Sequence, residues 1–350
     1  VDVTIKNARF PAGRKITNTK KGNDEAMSTM KYGNLPRVSK PVSRLIQGVG
    51  RARSLGETEG FALLDSFLDK GCTVFDTARV YGQTDHFLGS WIADRGIRDR
   101  VVILGKGAHH AGTRQRVTPQ DILEDLDTSL RELGTDFIDL YVLHRDDPTQ
   151  PVGPIMETLA AQAASGKIGA YGGSNWTPER LVEANAYASA HDLPPFVLTN
   201  PNYSLAVQVE EPWENCVCIS GPAGASARQA YRDLKMPVFC WSSLAAGFLS
   251  GRITRQNKDE MASRFNELVA RCYYSDDNFK RLDRAEHLAK TYGATVPQIA
   301  LAFLLAQGLD LYALVGCANA DELQANIDAF EISLSPSQVR WLDLETDSLA

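Results

Sequence analysis

The chain has 350 residues, 43% of them hydrophobic and 23% charged, with a formal net charge of -6. That suits one globular domain plus extensions. An acidic balance without a long basic run speaks against nucleic acid or an anionic membrane surface as a partner, and no apolar run approaches the roughly 20 residues needed to span a bilayer.

Residues 1–40 are polar and read as an N-terminal extension, a loop or partly disordered around Asn18–Glu25, with Lys31–Pro41 as a possible hairpin under a barrel. The N-terminus lacks the apolar core of a signal peptide. Six cysteines are scattered without a C-x-x-C pair or a His/Cys cluster, so no metal site is expected and the thiols read as reduced, in a cytoplasmic protein.

From residue 41 to 350 the chain alternates strand and helix. Arg44–Gly48 reads as the first strand, and Phe61, Leu64, Phe67 and Leu68 share a helical face. Thr73–Phe75 is the second strand, followed by a helix near Phe87–Ile92. Val101–Leu104 is the third strand. Thr118-Pro119-Gln120-Asp121 then opens a helix with a cap residue, a proline at the first position and an acid in the first turn. Its buried stripe is Ile122, Leu123, Leu126, Leu130 and Leu133, and Gly134 ends it. Phe137–Leu143 is the fourth strand, residues 154–165 are helical and Lys167–Gly173 is the fifth strand. Thr177-Pro178-Glu179 caps the next helix. Phe196–Thr199, Val238–Trp241 and Leu311–Val315 complete eight strands, and Ser335–Gln338 starts a terminal helix with a capping box. Eight such units favour a closed parallel TIM barrel over an open sheet. Two stretches break the rhythm. Val209–Ala227 implies a short or late helix, and Gly251–Lys280 reads as a polar insertion at the C-terminal rim, a lid in character.

Ionisable residues recur where strands end. Asp76 closes the Val74 strand and Tyr81 follows it. Lys106 follows the Val101 strand and His144 the Phe137 strand. Parallel barrels build active sites on that rim. Reduction of a carbonyl needs an acid at its oxygen. A tyrosine, with a pKa of about 10, needs help to release its proton. A lysine ammonium stabilises the phenolate, an aspartate holds the lysine, and a histidine hydrogen-bonds the oxygen.

Asp76, Tyr81, Lys106 and His144, in this order, resemble the catalytic tetrad of the aldo-keto reductases. The likeness runs from about Val42 to the C-terminus, also through Gly172-Gly173-Ser174-Asn175-Trp176, Thr199–Ser204 and Trp241–Gly247. It implies an oxidoreductase that uses NAD(H) or NADP(H) to interconvert a carbonyl and an alcohol. Ser174 and Asn175 would bind the nicotinamide carboxamide, with Asn200 where the family usually has glutamine. Trp241 would stack on the nicotinamide in place of a tyrosine. Ser242, Leu244, Gly247 and Arg252 would meet the pyrophosphate, and Gly316, Cys317, Glu322 and Asn326 the adenosine end. Glu322 stands where many members carry arginine, so NAD(H) is expected to be used at least as well as NADP(H). Arg79, Val80, His110, Arg145, Asp146 and Trp176, beside the tetrad or on adjoining loops, suggest a small polar, sugar-like substrate. A metal-dependent barrel hydrolase or lyase and a reductase-like regulatory subunit of the channel β type are the alternatives. The sequence leaves the oligomeric state open.

Overall fold

A computed structural model describes residues 29–264 and 267–349. The Asn18–Glu25 segment lies outside the described residues. Eight strands close into an all-parallel barrel: β3 (Leu45–Gly48), β4 (Val74–Asp76), β5 (Val102–Gly107), β6 (Ile138–Leu143), β7 (Ile168–Ser174), β8 (Leu198–Asn200), β9 (Val238–Cys240) and β10 (Leu311–Val315), with β10 pairing back onto β3. Two short strands, β1 (Tyr32–Gly33) and β2 (Val42–Ser43), pair antiparallel ahead of them, so the hairpin read over Lys31–Pro41 is present. Leu35, between β1 and β2, packs into the barrel's inner cluster. Residues of the polar extension thus belong to the packed structure.

The barrel explains the position of the site. Strand side chains alternate with period two. Val74, Val102, Leu104, Leu140, Val142, Ala170, Leu198, Phe239 and Tyr312 form a compact inner cluster, while Phe75, Ile103, Ile138, Tyr141 and Tyr171 pack outward against the helices. Phe239 and Tyr312 stack inside at 4.3 Å between ring centroids. Both faces of each strand are covered, as in parallel sheets generally. Two residues past the last inward apolar position, the same alternation reaches Asp76, Lys106, His144 and Asn200, and four past Ala170 it reaches Ser174. The apolar layers therefore end on a ring of polar groups at the C-terminal ends of the strands.

The helices alternate with the strands: α1 (Gly50–Ser54), α2 (Glu57–Asp69), α3 (Thr84–Arg95), α4 (Pro119–Leu133), α5 (Val152–Ala164), α6 (Pro178–Ala190) and α7 (Ala225–Asp233). Thr118 and Thr177 cap α4 and α6, accepting from the N–H groups of Asp121 and Arg180, and Gly134 ends α4 at φ 63°. The buried face of α4 differs from the apolar stripe. Leu123 is half-buried, and Asp125 and Ser129 are buried instead. Asp125 accepts from the Ala108 N–H (2.8 Å), and Ser129 donates to Asp85 (2.8 Å). The 209–227 segment delays its helix as expected, and α7 is short. The rim insertion is helical rather than a loop. It forms α8 (Lys258–Arg264), α9 (Glu267–Tyr273) and the start of α10 (Asp276–Tyr292), which α11 (Val296–Leu305) follows. After β10 come α12 (Ala320–Asp328) and α13 (Pro336–Leu342), the latter with the Ser335/Gln338 capping box. Among the described residues no single helix is long and apolar enough to cross a membrane.

Candidate active site

Three strand ends bring the tetrad residues together. Lys106 Nζ contacts Asp76 Oδ1 directly, and both side chains are almost fully enclosed. Nζ lies 5.5 Å from the centre of the Tyr81 ring, and the His144 ring meets Tyr81 edge-on at 5.6 Å. The loop bearing Tyr81 stays in register because the N–H groups of Thr77 and Arg79 go on pairing with the carbonyls of Leu104 and Lys106 (3.0 and 2.9 Å). Below it, Thr77 Oγ1 donates to the buried Asp85 (2.6 Å), which Ser129 of α4 also holds. His144 is fixed by its own N–H, which donates to the Gly107 carbonyl (2.7 Å). Gly107 has no room for a side chain: a Cβ would sit 2.0 Å from the Tyr141 hydroxyl.

The electrostatics follow from enclosure and charge. Burial works against the Lys106 ammonium, but Asp76 and Tyr81 outweigh it and hold its pKa above the ordinary lysine value. Burial pushes the Asp76 carboxyl up, and Lys106 pulls it back. Tyr81 is 42% exposed as a residue and lines the cavity. Desolvation still raises its pKa, with Lys106 and Arg145 acting in the opposite sense. His144 is pushed well below the usual imidazole range, first by burial and then by Lys106 and its cationic or imidazole neighbours. His109, 4.8 Å from His144 between ring centroids, is lowered to about 4, chiefly by burial.

The tetrad lies at one end of a cavity of about 990 Å³, at the upper limit of the usual range for ligand sites of about 300–1,000 Å³. Arg145, Ser174, Asn175, Asn200, Trp241, Ser242, Leu244, Gly247, Arg252, Gly316, Cys317, Glu322 and Asn326 line it as well. Ser174 donates to the Asn200 carbonyl (2.9 Å). Asn175, itself at φ 57°, donates to the His144 carbonyl (3.2 Å) and accepts from the Val217 N–H (3.1 Å). Asn200 donates to the Phe239 carbonyl, while its own Oδ1 is buried without a partner. The Trp241 Nε1 is likewise unpartnered. After β9 the backbone turns through positive φ at Ser242, Ala245, Ala246 and Gly247, the first three of which carry a Cβ in a disfavoured region. Such strain clusters where backbone meets ligand. A Cβ at Gly247 or Gly316 would meet nothing within 4 Å, so the wall is open there. At the far end Glu322 accepts from the Ala318 N–H (2.8 Å) and from Arg252 (2.7 Å). These observations fit a dinucleotide: a cavity of about 990 Å³ lined from the tetrad to α12, an unpartnered amide oxygen and an indole ring on its wall, and bare backbone at Gly247 and Gly316.

Five of the expected substrate residues are not on that wall. Trp176 is completely buried because its indole N–H donates to the Arg145 carbonyl (3.1 Å) and its ring packs edge-on against Phe196. Asp146 turns away to a paired contact with Arg180 of α6 (2.9 and 3.2 Å). Arg79 lies outside beside Glu132 (3.9 Å), over a shallow separate depression, and Val80 is exposed. His110 packs against His109 with the rings tilted by 38° and does not line the cavity. Conversely, Trp213 and Cys216 on the long loop before α7, and Glu286, Lys290 and Thr295 around the α10–α11 junction, line the cavity and were not singled out. The loop residues carry no periodic signal, and the junction residues belong to an ordinary amphipathic helix pair. Among the described residues no three His, Cys, Asp or Glu side chains cluster as metal ligands would.

Comparison with known proteins agrees with this arrangement. The profile of the Aldo/keto reductase family matches residues 46–344. An uncharacterized oxidoreductase of Bacillus subtilis, YrpG, is 29% identical over 90% of this chain and 95% of its own length. The aldo-keto reductase str7 of Strobilurus tenacellus is 28% identical over 81% of this chain and 80% of its own. The aryl-alcohol dehydrogenase [NADP(+)] of Phanerodontia chrysosporium is 27% identical over 83% and 76%. The chain belongs to the Aldo/keto reductase family and is an NAD(P)-dependent oxidoreductase acting on a small molecule.

Proposed function

We propose that the protein interconverts a polar, sugar-like aldehyde or ketone with its alcohol, with Tyr81 as general acid and base. The observation that carries the reading is the enclosed Asp76–Lys106 pair beneath a Tyr81 that faces the cavity. Bound nicotinamide supplies or accepts the hydride. Asp76 keeps Lys106 charged, and the ammonium stabilises the phenolate left when Tyr81 Oη gives its proton to the carbonyl oxygen. His144, neutral at physiological pH, orients that oxygen by hydrogen bonding. Ser174, Asn175 and the free Oδ1 of Asn200 would hold the carboxamide, Trp241 would stack, and the backbone from Ser242 to Gly247 with Arg252 would meet the pyrophosphate. Gly316, Cys317, Glu322 and Asn326 surround the adenosine. A 2′-phosphate would compete with Glu322 for Arg252, whereas a ribose hydroxyl can donate to that carboxylate. NAD(H) is therefore used at least as well as NADP(H), although the fungal aryl-alcohol dehydrogenase is named for NADP(+).

An aromatic aldehyde is the second reading. Trp213 and Trp241 stand 6.1 Å apart at the tetrad end, suited to a flat ring. A spectrophotometric screen of sugars and aryl aldehydes with NADH and NADPH tests both readings. Oxidation of NADH with at least one aldose, ketose or polar aldehyde is expected. No turnover of any carbonyl, or a strong preference for NADPH, contradicts the corresponding part.

A further inference from the structure

Arg145 follows His144 directly and lies on the cavity wall, yet it is only 4% exposed. Its Nη1 donates to the Asn215 carbonyl at 3.4 Å and reaches Cys216 Sγ at 3.3 Å. Its Nε is enclosed and has no partner. No carboxylate pairs with it among the described residues. Asp146, the next residue, is held by Arg180, and Asp147 accepts from Thr149. On the facing loop Glu211 accepts from the Cys216 N–H (3.3 Å), and Glu214 is exposed.

An enclosed guanidinium cannot lose its proton to escape this position. Burying a charge without a counterion is strongly unfavourable, and two weak contacts to a carbonyl and a sulfur do not offset it. The cation also stands among the groups that depress His144 and His109. Nη2, which is not enclosed and has no hydrogen-bond partner among the described residues, is the nitrogen a carboxylate can reach from the cavity with a charge-assisted bond. Trp213 and Trp241, tilted 54° to each other, add aromatic surface for the carbon skeleton on the same cavity wall.

We infer that the substrate carries a carboxylate as well as the carbonyl, and that Arg145 binds it. The inference rests on the carbonyl-reductase reading above and narrows its substrate to oxo acids, of sugar or aromatic skeleton. The test compares kcat/KM within two pairs, glucuronate against glucose and 3-carboxybenzaldehyde against its methyl ester. The acid of at least one pair is expected to lead by about 10- to 100-fold, the yield of one charge-assisted hydrogen bond or bidentate pair. Neutral members used as well as the acids in both pairs would overturn the inference. Arg145→Gln is expected to bring the acid-to-neutral ratio near one, and Arg145→Lys to keep part of it. An unchanged ratio in a folded Gln variant counts against the site. Tryptophan fluorescence supplies a readout without turnover: benzoate is expected to bind the wild-type protein more tightly than benzamide, and equal binding counts against Arg145. Failure to turn over all four carbonyls with either cofactor counts instead against the reductase reading.

Discussion

The barrel encloses two carboxylates on inward or strand-edge positions, one at each end, and their surroundings differ. Asp139, near the start of β6, forms ion pairs with Lys40 (2.6 Å) and Arg98 (2.8 Å) and accepts a hydrogen bond from the Ile103 N–H (3.0 Å). Its oxygens are fully used, and the ion pairs tie the segment before β2 and the loop after α3 to the floor. Among the described residues Asp76, at the end of β4, has Lys106 as its one hydrogen-bond partner, and Lys106 has no second acceptor. Around it His144 Nδ1, Arg145 Nε, Asn200 Oδ1 and Trp241 Nε1 are buried and unpartnered. Buried polar groups normally find partners. Asp139 therefore stabilises the fold, and the four open groups around Asp76 are set apart because they share one cavity, whereas Tyr312 Oη, unpartnered near the floor, does not line it.

The strongest way to break this contrast is to replace the upper pair by apolar residues. In Asp76→Leu/Lys106→Met, turnover is expected to fall by at least about 10²–10⁴ because Tyr81 loses its activating cation. Stability by urea unfolding is expected to be unchanged or higher by about 1–4 kcal/mol, since an apolar pair avoids desolvation. Retained activity, or a large loss of stability, would contradict the assignment of the pair to chemistry. At the floor the expectation reverses. Asp139→Asn is expected to cost about 3 kcal/mol, the lower end for a broken buried pair because Lys40 and Arg98 keep some solvent contact, while kcat stays unchanged.

Two smaller effects sharpen the comparison. Glu322→Arg removes the partner of Arg252 and is expected to move the cofactor preference toward NADPH by about 1–3 kcal/mol, read as the ratio of kcat/KM for the two cofactors. The pH profile of kcat for reduction is expected to be flat from about pH 6 to 8. His144, lowered below its ordinary value of about 6.5, is already neutral there, and Tyr81, raised above about 10, is still protonated. Because the acid must carry its proton, reduction falls only in alkaline solution. An inflection near pH 6.5 would show a titrating histidine in the site.

How much of this was legible depended on how local the signal was. Period-two alternation runs unbroken from apolar Val102 and Leu104 to Lys106 and from Leu140 and Val142 to His144, so the strand ends were readable. Caps at Thr118, Thr177 and Ser335 were equally local. Trp176 misled because its position after Ser174 and Asn175 says nothing of its rotamer. A side chain at Gly173 would lie 2.5 Å from Trp176 Cγ, so the glycine lets the indole fold back onto its own strand. Asp146 misled because its partner, Arg180, lies a helix away. Trp213 and Cys216 were invisible because an aperiodic loop reveals neither its path nor its neighbours. Arg145 was singled out, but its lack of a counterion is a property of the assembled barrel alone.

The central claim is that the Tyr81 hydroxyl delivers the proton, and Tyr81→Phe tests it most directly because it removes one oxygen and leaves the ring against His144. With a carbonyl that the wild-type protein reduces, kcat is expected to fall by about 10²–10⁴ while the dissociation constant of the reduced cofactor, measured by fluorescence titration, stays within error of the wild-type value. Near-normal turnover in that variant would contradict the account.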